Sequence, residues 1–310
     1  MTSKTALVLH GGAGTLKPGD LSRDELAAIT LDLNRALDAG QAVLRVGGPA
    51  LEAVEASVEV LEDSPWFNAG NGAVFNAEGG HELDAALMEG HTLRAGAVAG
   101  LTTVKNPIRL ARAVLEHSGH VLLAGPGAEK FADTRPEIER VRTDYFSTPA
   151  RRAQLEAARG HEAQHGVGAY FGTVGAVALD ARGHLAAATS TGGLSNKRFG
   201  RIGDSPLIGA GTYANEDVGV SCTGSGEFYI RAAVAHDLCA RVRYRGDSLE
   251  QAANELTHGV IPGLGGEGGL IALDREGNVA LPFNTSSMHR AWLKPDGARG
   301  VAIFRDDASE

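Results

Sequence analysis

The stretch FGTVGAVALD (171–180) turns at residues 181–183 and returns as HLAAATSTGG (184–193), and this hairpin decides the fold. Both arms are short and apolar without a polar face, as expected of strands buried on both sides. An Asp and a Gly flank the turn, and the same plan recurs at GGLIALD (268–274), a turn at 275–277, and NVALPF (278–283). Both read as hairpins. Between them lie a strand pair over 207–212 and 218–223 and helices over 227–243 and 249–258. Upstream, residues 5–10 form a strand that Gly11 and Gly12 end. Helical spacing runs over 23–46 and, behind Pro49, over 51–61. Residues 68–75 read as loop then strand, 83–88 and 93–101 as strands, and 107–117, the stretch after Gly127 and 150–159 as helices. Residues 135–172 are polar and come nearest to a linker, but no Pro-rich or Ser-rich segment divides the chain. One domain over 1–310 is expected, of the α+β class, with two sheets stacked face to face between helical layers.

Chemistry concentrates where the first hairpin begins. A Thr hydroxyl is a weak nucleophile until a base takes its proton. If the bond between Gly172 and Thr173 is cut, Thr173 acquires its own base. A free α-amine has a pKa of about 7.7–8.0 and can accept and return the hydroxyl proton. Gly172 has no Cβ and leaves its carbonyl open to attack. Alone, Gly-Thr is an ordinary start to a strand, so its neighbours matter. Thr191 closes the returning arm and lies at the same mouth as Thr173. A polar loop then carries Arg201 and Asp204 three apart, and SCTGSGE (221–227) ends one strand and opens a helix. At such a junction, free backbone N–H groups and a Thr hydroxyl can face a developing oxyanion.

The 310 residues carry a net charge of −9, which argues against nucleic acid as a partner. The two cysteines make no disulfide framework and suit a reducing compartment. No apolar run approaches a membrane span, and the N-terminal apolar run is too short for a signal peptide, which points to the cytoplasm.

Several motifs in order resemble those of the isoaspartyl peptidases and plant-type L-asparaginases of the N-terminal nucleophile hydrolase superfamily. They are HGGAG (10–14), FNAGNGAVF (67–75), GTVGAVALD (172–180), ATSTGG (188–193), GRIGDSPLIGAG (200–211), SCTGSGE (221–227) and the C-terminal hairpin through Thr285. The resemblance covers nearly the whole chain. It implies a four-layer αββα sandwich, made as one chain and self-cleaved into an α subunit (1–172) and a β subunit (173–310). It also implies hydrolysis of L-asparagine or of β-aspartyl dipeptides without a catalytic cofactor, and a dimer of αβ units. By position, Thr173 is the nucleophile and Thr191 orients it. Arg201 grips the substrate α-carboxylate and Asp204 its α-ammonium, to which the Gly226 carbonyl adds a contact. Thr223 and the Gly224 N–H form the oxyanion hole, and Asn68 is an active-site asparagine. A structural sodium ion would take backbone carbonyls of Leu61, Glu62, Ser64, Phe67, Ala69 and Asn71. Many relatives carry His or Asp before the scissile Gly, where this chain has Phe171, and an apolar residue there is expected to slow self-cleavage. Glycosylasparaginases share the superfamily plan and stay open as an alternative.

Rival patterns are weaker. HEAQH (161–165) matches a zinc-peptidase motif but lies between two glycines in the polar segment, with no evident third ligand. GAGTYA (209–214) matches part of the dinucleotide fingerprint, which needs a helix to start there. His10 and Cys222 read as buried structural residues. A protein that keeps the fold but never matures remains the non-enzymatic alternative.

Overall fold

The computed structural model describes residues 4–162 and 172–305. The chain runs β1 (Ala6–Gly14), α1 (Arg23–Arg45), α2 (Ala50–Asp63), β2 (Leu83–Glu89), β3 (Ala95–Leu101), α3 (Pro107–His117), β4 (Leu122–Ala124), α4 (Gly125–Ala132) and α5 (Pro149–Glu162). It continues with β5 (Val174–Leu179), β6 (Leu185–Thr191), β7 (Thr212–Ala214) and β8 (Val218–Gly224). Helices α6 (Gly226–Ala232), α7 (Val234–Ala240), α8 (Leu249–Glu255) and α9 (Ile261–Gly263) follow, then β9 (Gly268–Asp274), β10 (Val279–Ala280), β11 (Ser287–Leu293) and β12 (Arg299–Phe304).

The described strands form two sheets. The larger has eight strands in the order β12-β11-β1-β5-β6-β2-β3-β4, and the smaller has four in the order β10-β9-β8-β7. In the larger sheet β3 and β4 pair in parallel and the other neighbours are antiparallel. Alternate residues of β1 and β5 point to opposite faces, and each face has its own core. Leu7, Leu9, Ala176 and Ala178 pack with Leu33 and Leu37 of α1, Val54, Val58 and Leu61 of α2, and Ile108 and Ala111 of α3. Ala6, Val8, Val177 and Leu179 pack instead with Ile271 and Leu273 of β9. The far side of the small sheet, through Val218, Val220 and Cys222, buries Tyr229, Leu238, Leu249 and Ile261. The apolar hairpin arms are therefore covered on both faces, as their composition requires.

The two hairpins share one turn device. Asp180 Oδ1 accepts from the Arg182 and His184 N–H groups, and Asp274 Oδ1 accepts from those of Glu276 and Asn278. Gly183 and Gly277 supply the positive φ each turn needs, at 81° and 87°. Asp180 also accepts the Ala50 N–H at the start of α2, tying the hairpin to that helix.

Several sequence expectations are corrected. β1 does not stop at Gly11; it passes through a bulge between His10 and Gly12 and pairs with β11 as far as Gly14. No strand forms over 68–75. The strand expected over 207–212 shifts to β7, because 207–211 is a turn in which Leu207 N and Gly211 N both donate to the Asp204 carbonyl. The helix expected over 227–243 breaks at Ala233, which takes a left-handed conformation (φ 47°). The return arm of the C-terminal hairpin forms a strand only over Val279 and Ala280, with one isolated bridge from Phe283 to Gly269 beyond it. Strands β11 and β12 were not expected, because Ser287, His289 and Arg290 interrupt the apolar pattern.

Candidate active site

In the β5–β6 register Val174 faces Ser190, so Thr173 and Thr191 meet at the hairpin's mouth. The Thr173 hydroxyl donates to Thr191 Oγ1 at 3.1 Å. Thr191 Oγ1 also accepts the Gly193 N–H at 3.0 Å and lies 3.5 Å from the Gly172 carbonyl oxygen. One hydroxyl thus touches both the candidate nucleophile and the bond it would attack. Gly172 is wedged between Gly12 and Asn68. A Cβ on Gly12, which has φ 108°, would come within 2.6 Å of Gly172 Cα, and a Cβ on Gly172 would meet Asn68 at 3.1 Å.

Thr223 is fully buried at the end of β8, and its Oγ1 accepts the Ala13 N–H at 3.1 Å. That contact leaves the Thr223 hydroxyl proton available to donate elsewhere. The β1 bulge at Gly11–Gly12 is what brings Ala13 to Thr223.

A cleft beside Thr173 and Thr191 is lined by Arg201, Gly203, Asp204, Ser205 and Gly224. Asp204 is buried, its Oδ2 has no hydrogen-bond partner, and burial pushes its pKa up to about 7 despite Arg201 nearby. A Cβ on Gly226 would stand 2.8 Å from both Arg201 Nη2 and Asp204 Oδ1. Glycine at the start of α6 therefore lets the guanidinium and the carboxylate share one wall. Arg201 Nε and Nη2 each donate to the Glu227 carboxylate at 2.9 Å, which holds that carboxyl below its usual range. Glu227 does not line the cleft.

Asn68 is brought to the site with both ends of its amide engaged. Its Nδ2 donates to the Gly193 carbonyl at 2.7 Å and its Oδ1 accepts the Val74 N–H at 2.8 Å. It clamps the 68–74 loop onto Gly193 and so steadies the loop behind Thr191. The same loop folds tightly on itself, with Gly70 and Gly72 at positive φ and the Asn71 N–H donating to the Glu62 carbonyl. A Cβ on Gly72 would lie 2.7 Å from the carbonyl oxygens of Phe67 and Pro65, and one on Gly70 would collide with that of Glu62. Of the carbonyls expected to hold sodium, those of Glu62 and Phe67 lie against these glycines, and oxygen donors are what a hard cation takes. The Leu61 and Glu62 oxygens already accept one N–H each, from Ser64 and Asn71, and each retains a second lone pair.

The family model described as asparaginase matches residues 3–303. The isoaspartyl peptidase of Salmonella typhimurium is 49% identical over 313 residues, covering 98% of this chain and 100% of that protein. The plant-type L-asparaginase of Pyrococcus abyssi is 42% identical, covering 93% and 96%. The isoaspartyl peptidase/L-asparaginase of Mus musculus is 40% identical, covering 93% and 87%. The chain belongs to the asparaginase family.

With that membership the rival patterns fall away. GAGTYA leads into β7 and not into a helix, so the dinucleotide reading fails. Of HEAQH, residues 161–162 end α5 and the rest lies outside the described residues, as does Phe171. Cys222 is fully buried, and burial raises its thiol pKa, as suits a packing residue.

Three residues beyond the expected set stand around the candidate site. His10, read as structural, is buried, and its Nδ1 lies 2.8 Å from the Thr173 carbonyl oxygen. A carbonyl only accepts, so Nδ1 carries the proton and Nε2 must accept from Ser221 Oγ, 2.8 Å away. Ser221 Oγ in turn lies 2.7 Å from Thr189 Oγ1, to which Thr212 donates at 2.6 Å. Burial lowers the His10 pKa to about 3, so the ring is neutral as this chain of bonds requires. Glu227 and Ala13 are the other two. The signal for Glu227 was its place at the start of α6, beside Gly226; Ala13 acts through its backbone and leaves no side-chain signal.

Proposed function

We propose that this asparaginase-family chain is a precursor that cuts itself before Thr173 and then hydrolyses L-asparagine, β-aspartyl dipeptides or both. The observation that carries the reading is the 3.1 Å contact of Thr173 with Thr191, in the cleft that Arg201, Asp204 and Gly224 also line. The order of packing, helices, large sheet, small sheet, helices, fits the four-layer αββα sandwich, split into 1–172 and 173–310.

In self-cleavage Thr173 Oγ attacks the Gly172 carbonyl carbon and displaces its own nitrogen, and water then hydrolyses the ester. The mature α-amine accepts the proton of the Thr173 hydroxyl, which Thr191 keeps in place. Arg201 binds the α-carboxylate of the aspartyl group and Asp204 its α-ammonium, with the Gly226 carbonyl beside it. Thr173 Oγ bonds to the side-chain carbonyl carbon, and the oxyanion takes hydrogen bonds from Thr223 and the Gly224 N–H. The carbon–nitrogen bond breaks as the α-ammonium returns its proton to the leaving amine. Water then attacks the aspartyl ester, giving its proton to the α-amine, which passes it to Thr173 Oγ as the ester bond breaks and aspartate leaves.

Intact-mass spectrometry with N-terminal sequencing tests the assignment. The wild type should yield two fragments with Thr173 as the second N-terminus, and Thr173→Ala a single chain without ammonia release from asparagine. Two fragments from Thr173→Ala would refute it. A sodium ion on the carbonyls of Leu61, Glu62, Ser64, Phe67, Ala69 and Asn71 would stiffen the loop that carries Asn68. Replacing sodium by choline at constant ionic strength should then lower Tm by linkage, and an unchanged Tm would argue against the ion.

A further inference from the structure

Helix α5 carries three arginines that reach one loop. Arg151, Leu155 and Arg159 recur at i, i+4 and i+8 and so share a face of the helix. Leu155 is fully buried. Arg151 Nε donates to the Gly72 carbonyl at 2.7 Å, and its Nη2 lies 3.5 Å from the Trp66 carbonyl oxygen. One helix face further along, Arg159 Nη2 donates to the Ala77 carbonyl. Between these two, the Arg152 guanidinium lies over the Phe75 ring, 4.1 Å from its centre. The grip spans residues 66–77, the loop that carries Asn68.

The helix itself disfavours arginine at its start. Arg151 falls in the first turn of α5, which holds no acidic residue, whereas the positive end of a helix dipole favours acids and repels cations. The loop carbonyl oxygens supply the negative partial charge that the first turn withholds. From the loop the hold passes inward at two places. The Asn68 amide joins Val74 to Gly193, and the Gly193 N–H donates to Thr191 Oγ1. Farther along, the Asn196 N–H donates to the Phe75 carbonyl at 2.8 Å and the Ala77 N–H to the Lys197 carbonyl at 2.9 Å. The loop thus lies between α5 on one side and the segment just after Thr191 on the other. Gly70 and Gly72 give its backbone wide freedom, so its neighbours must fix its shape.

We propose that Arg151 is a positioning residue for the reaction. Through the Gly72 and Trp66 carbonyls it fixes the loop that sets Asn68, and through Asn68 and Gly193 it holds Thr191 against Thr173. The inference rests on the reading of Thr173 as nucleophile and Thr191 as the residue that orients it. Thr191 acts on the reacting hydroxyl and not on the aspartyl head, so a loosened loop lowers kcat and spares KM. Arg159 supports the same loop from the other end of the helix, farther from Asn68, and its loss costs less.

The test uses the mature enzyme with asparagine. In Arg151→Met kcat should fall about tenfold with KM within about threefold of wild type, the pattern of a reacting group slightly misplaced. Arg151→Lys keeps the charge without the fork and should recover part of the loss. Hydrogen exchange followed by mass spectrometry should show faster exchange in peptides covering 66–77 and 192–197 of Arg151→Met, with the β1 and β5 peptides unchanged. The proposal is overturned, while the Thr173 reading stands, by a kcat within about twofold of wild type or by a loss confined to KM or Tm. A lower kcat with both peptides as protected as in wild type overturns it equally. Should Arg151→Met remain uncleaved, its exchange is compared with that of uncleaved Thr173→Ala, and equal protection overturns the proposal. Should it fail to fold, Arg151→Lys and Arg159→Met decide by the same measures. A wild type that is not cut before Thr173 and releases no ammonia overturns the Thr173 reading and this one with it.

Discussion

Arg201 shows how much one side chain's neighbours decide. Its guanidinium has two usable edges, and Glu227 holds the Nε and Nη2 edge at 2.9 Å. A carboxylate on the arginine proposed to bind the substrate carboxylate has two meanings. Either Glu227 sits in the substrate's place and must be displaced, or it stands behind Arg201 and fixes its aim. The second reading fits better: Glu227 is absent from the walls of the cleft, and its side chain is 53% exposed against 18% for Arg201. An arginine fork held on one edge loses less freedom when the other binds a ligand. Glu227→Ala should therefore raise KM for asparagine about tenfold and change kcat by less than about threefold. The sign decides the matter, since a fall in KM in steady-state assays would mean that Glu227 competes with substrate. Glu227→Asp, which restores the charge on a shorter arm, should recover part of the loss.

At the level of elements, the site is held by a line of hydrogen bonds that crosses both sheets. It starts at the Thr173 carbonyl and passes through His10 of β1, Ser221 of β8, Thr189 of β6 and Thr212 of β7. Gly175 of β5 makes the crossing possible, because a Cβ there would collide with both Ser221 Oγ and His10 Nε2. Gly175→Ala should break the line and overpack the sheet interface, with a cost of about 2–4 kcal/mol. Urea unfolding in the uncleavable Thr173→Ala background measures this apart from processing, and a midpoint within error of the parent would show the line to be dispensable. The line also marks what was legible beforehand. Thr173, Thr191, Thr223, Arg201 and Asp204 stand near turns and strand ends, where short motifs reveal them, and four of them, all but Thr223, line one cleft. The apolar hairpin arms announced themselves by composition. His10, Ser221 and Thr189 could not, since their meaning lies in contacts up to 211 residues apart in sequence. Gly11 and Gly12 read as a stop because glycine usually ends a strand, yet here the pair forms the bulge that carries Ala13 to Thr223. Ala233 breaks its helix with neither Gly nor Pro to signal it, so a continuous apolar pattern concealed two helices.

Across the whole molecule, buried ionisable groups set how stability depends on pH. Burial lowers the pKa of His10 to about 3 and of His289 to about 4, and lowers that of His81. Burial raises Glu55 and Asp204 to about 7 and Glu62 to about 8. The two sets act oppositely. Between the lowered histidine values and about 6.5 the unfolded chain binds more protons at the histidines, so they make stability rise with pH. From about 4.5 upward the folded chain holds more protons at the raised carboxyls, so they make stability fall until each ionises in the folded state. The opposing slopes largely cancel between about pH 5 and 6.5. Above that the histidine contribution fades over about one further pH unit, and the carboxyl slope dominates through pH 7 to 8. Near about pH 8.5 it is joined by the buried Cys222 and Cys239, whose thiols burial holds protonated. Glu62 matters most, because its value is the highest of the three and it joins three elements. From α2 its Oε1 accepts the Ile108 N–H of α3 and the Ser190 hydroxyl of β6, while Oε2 has no partner. The Tm of the uncleaved Thr173→Ala chain should be nearly level from pH 5 to 6.5 and drop on going to pH 8.5. In Glu62→Gln that drop should be visibly smaller, since an amide cannot ionise and can still accept both bonds. A drop of the same size in both proteins, followed by differential scanning calorimetry across that range, would place the loss at high pH somewhere other than the α2–α3–β6 junction.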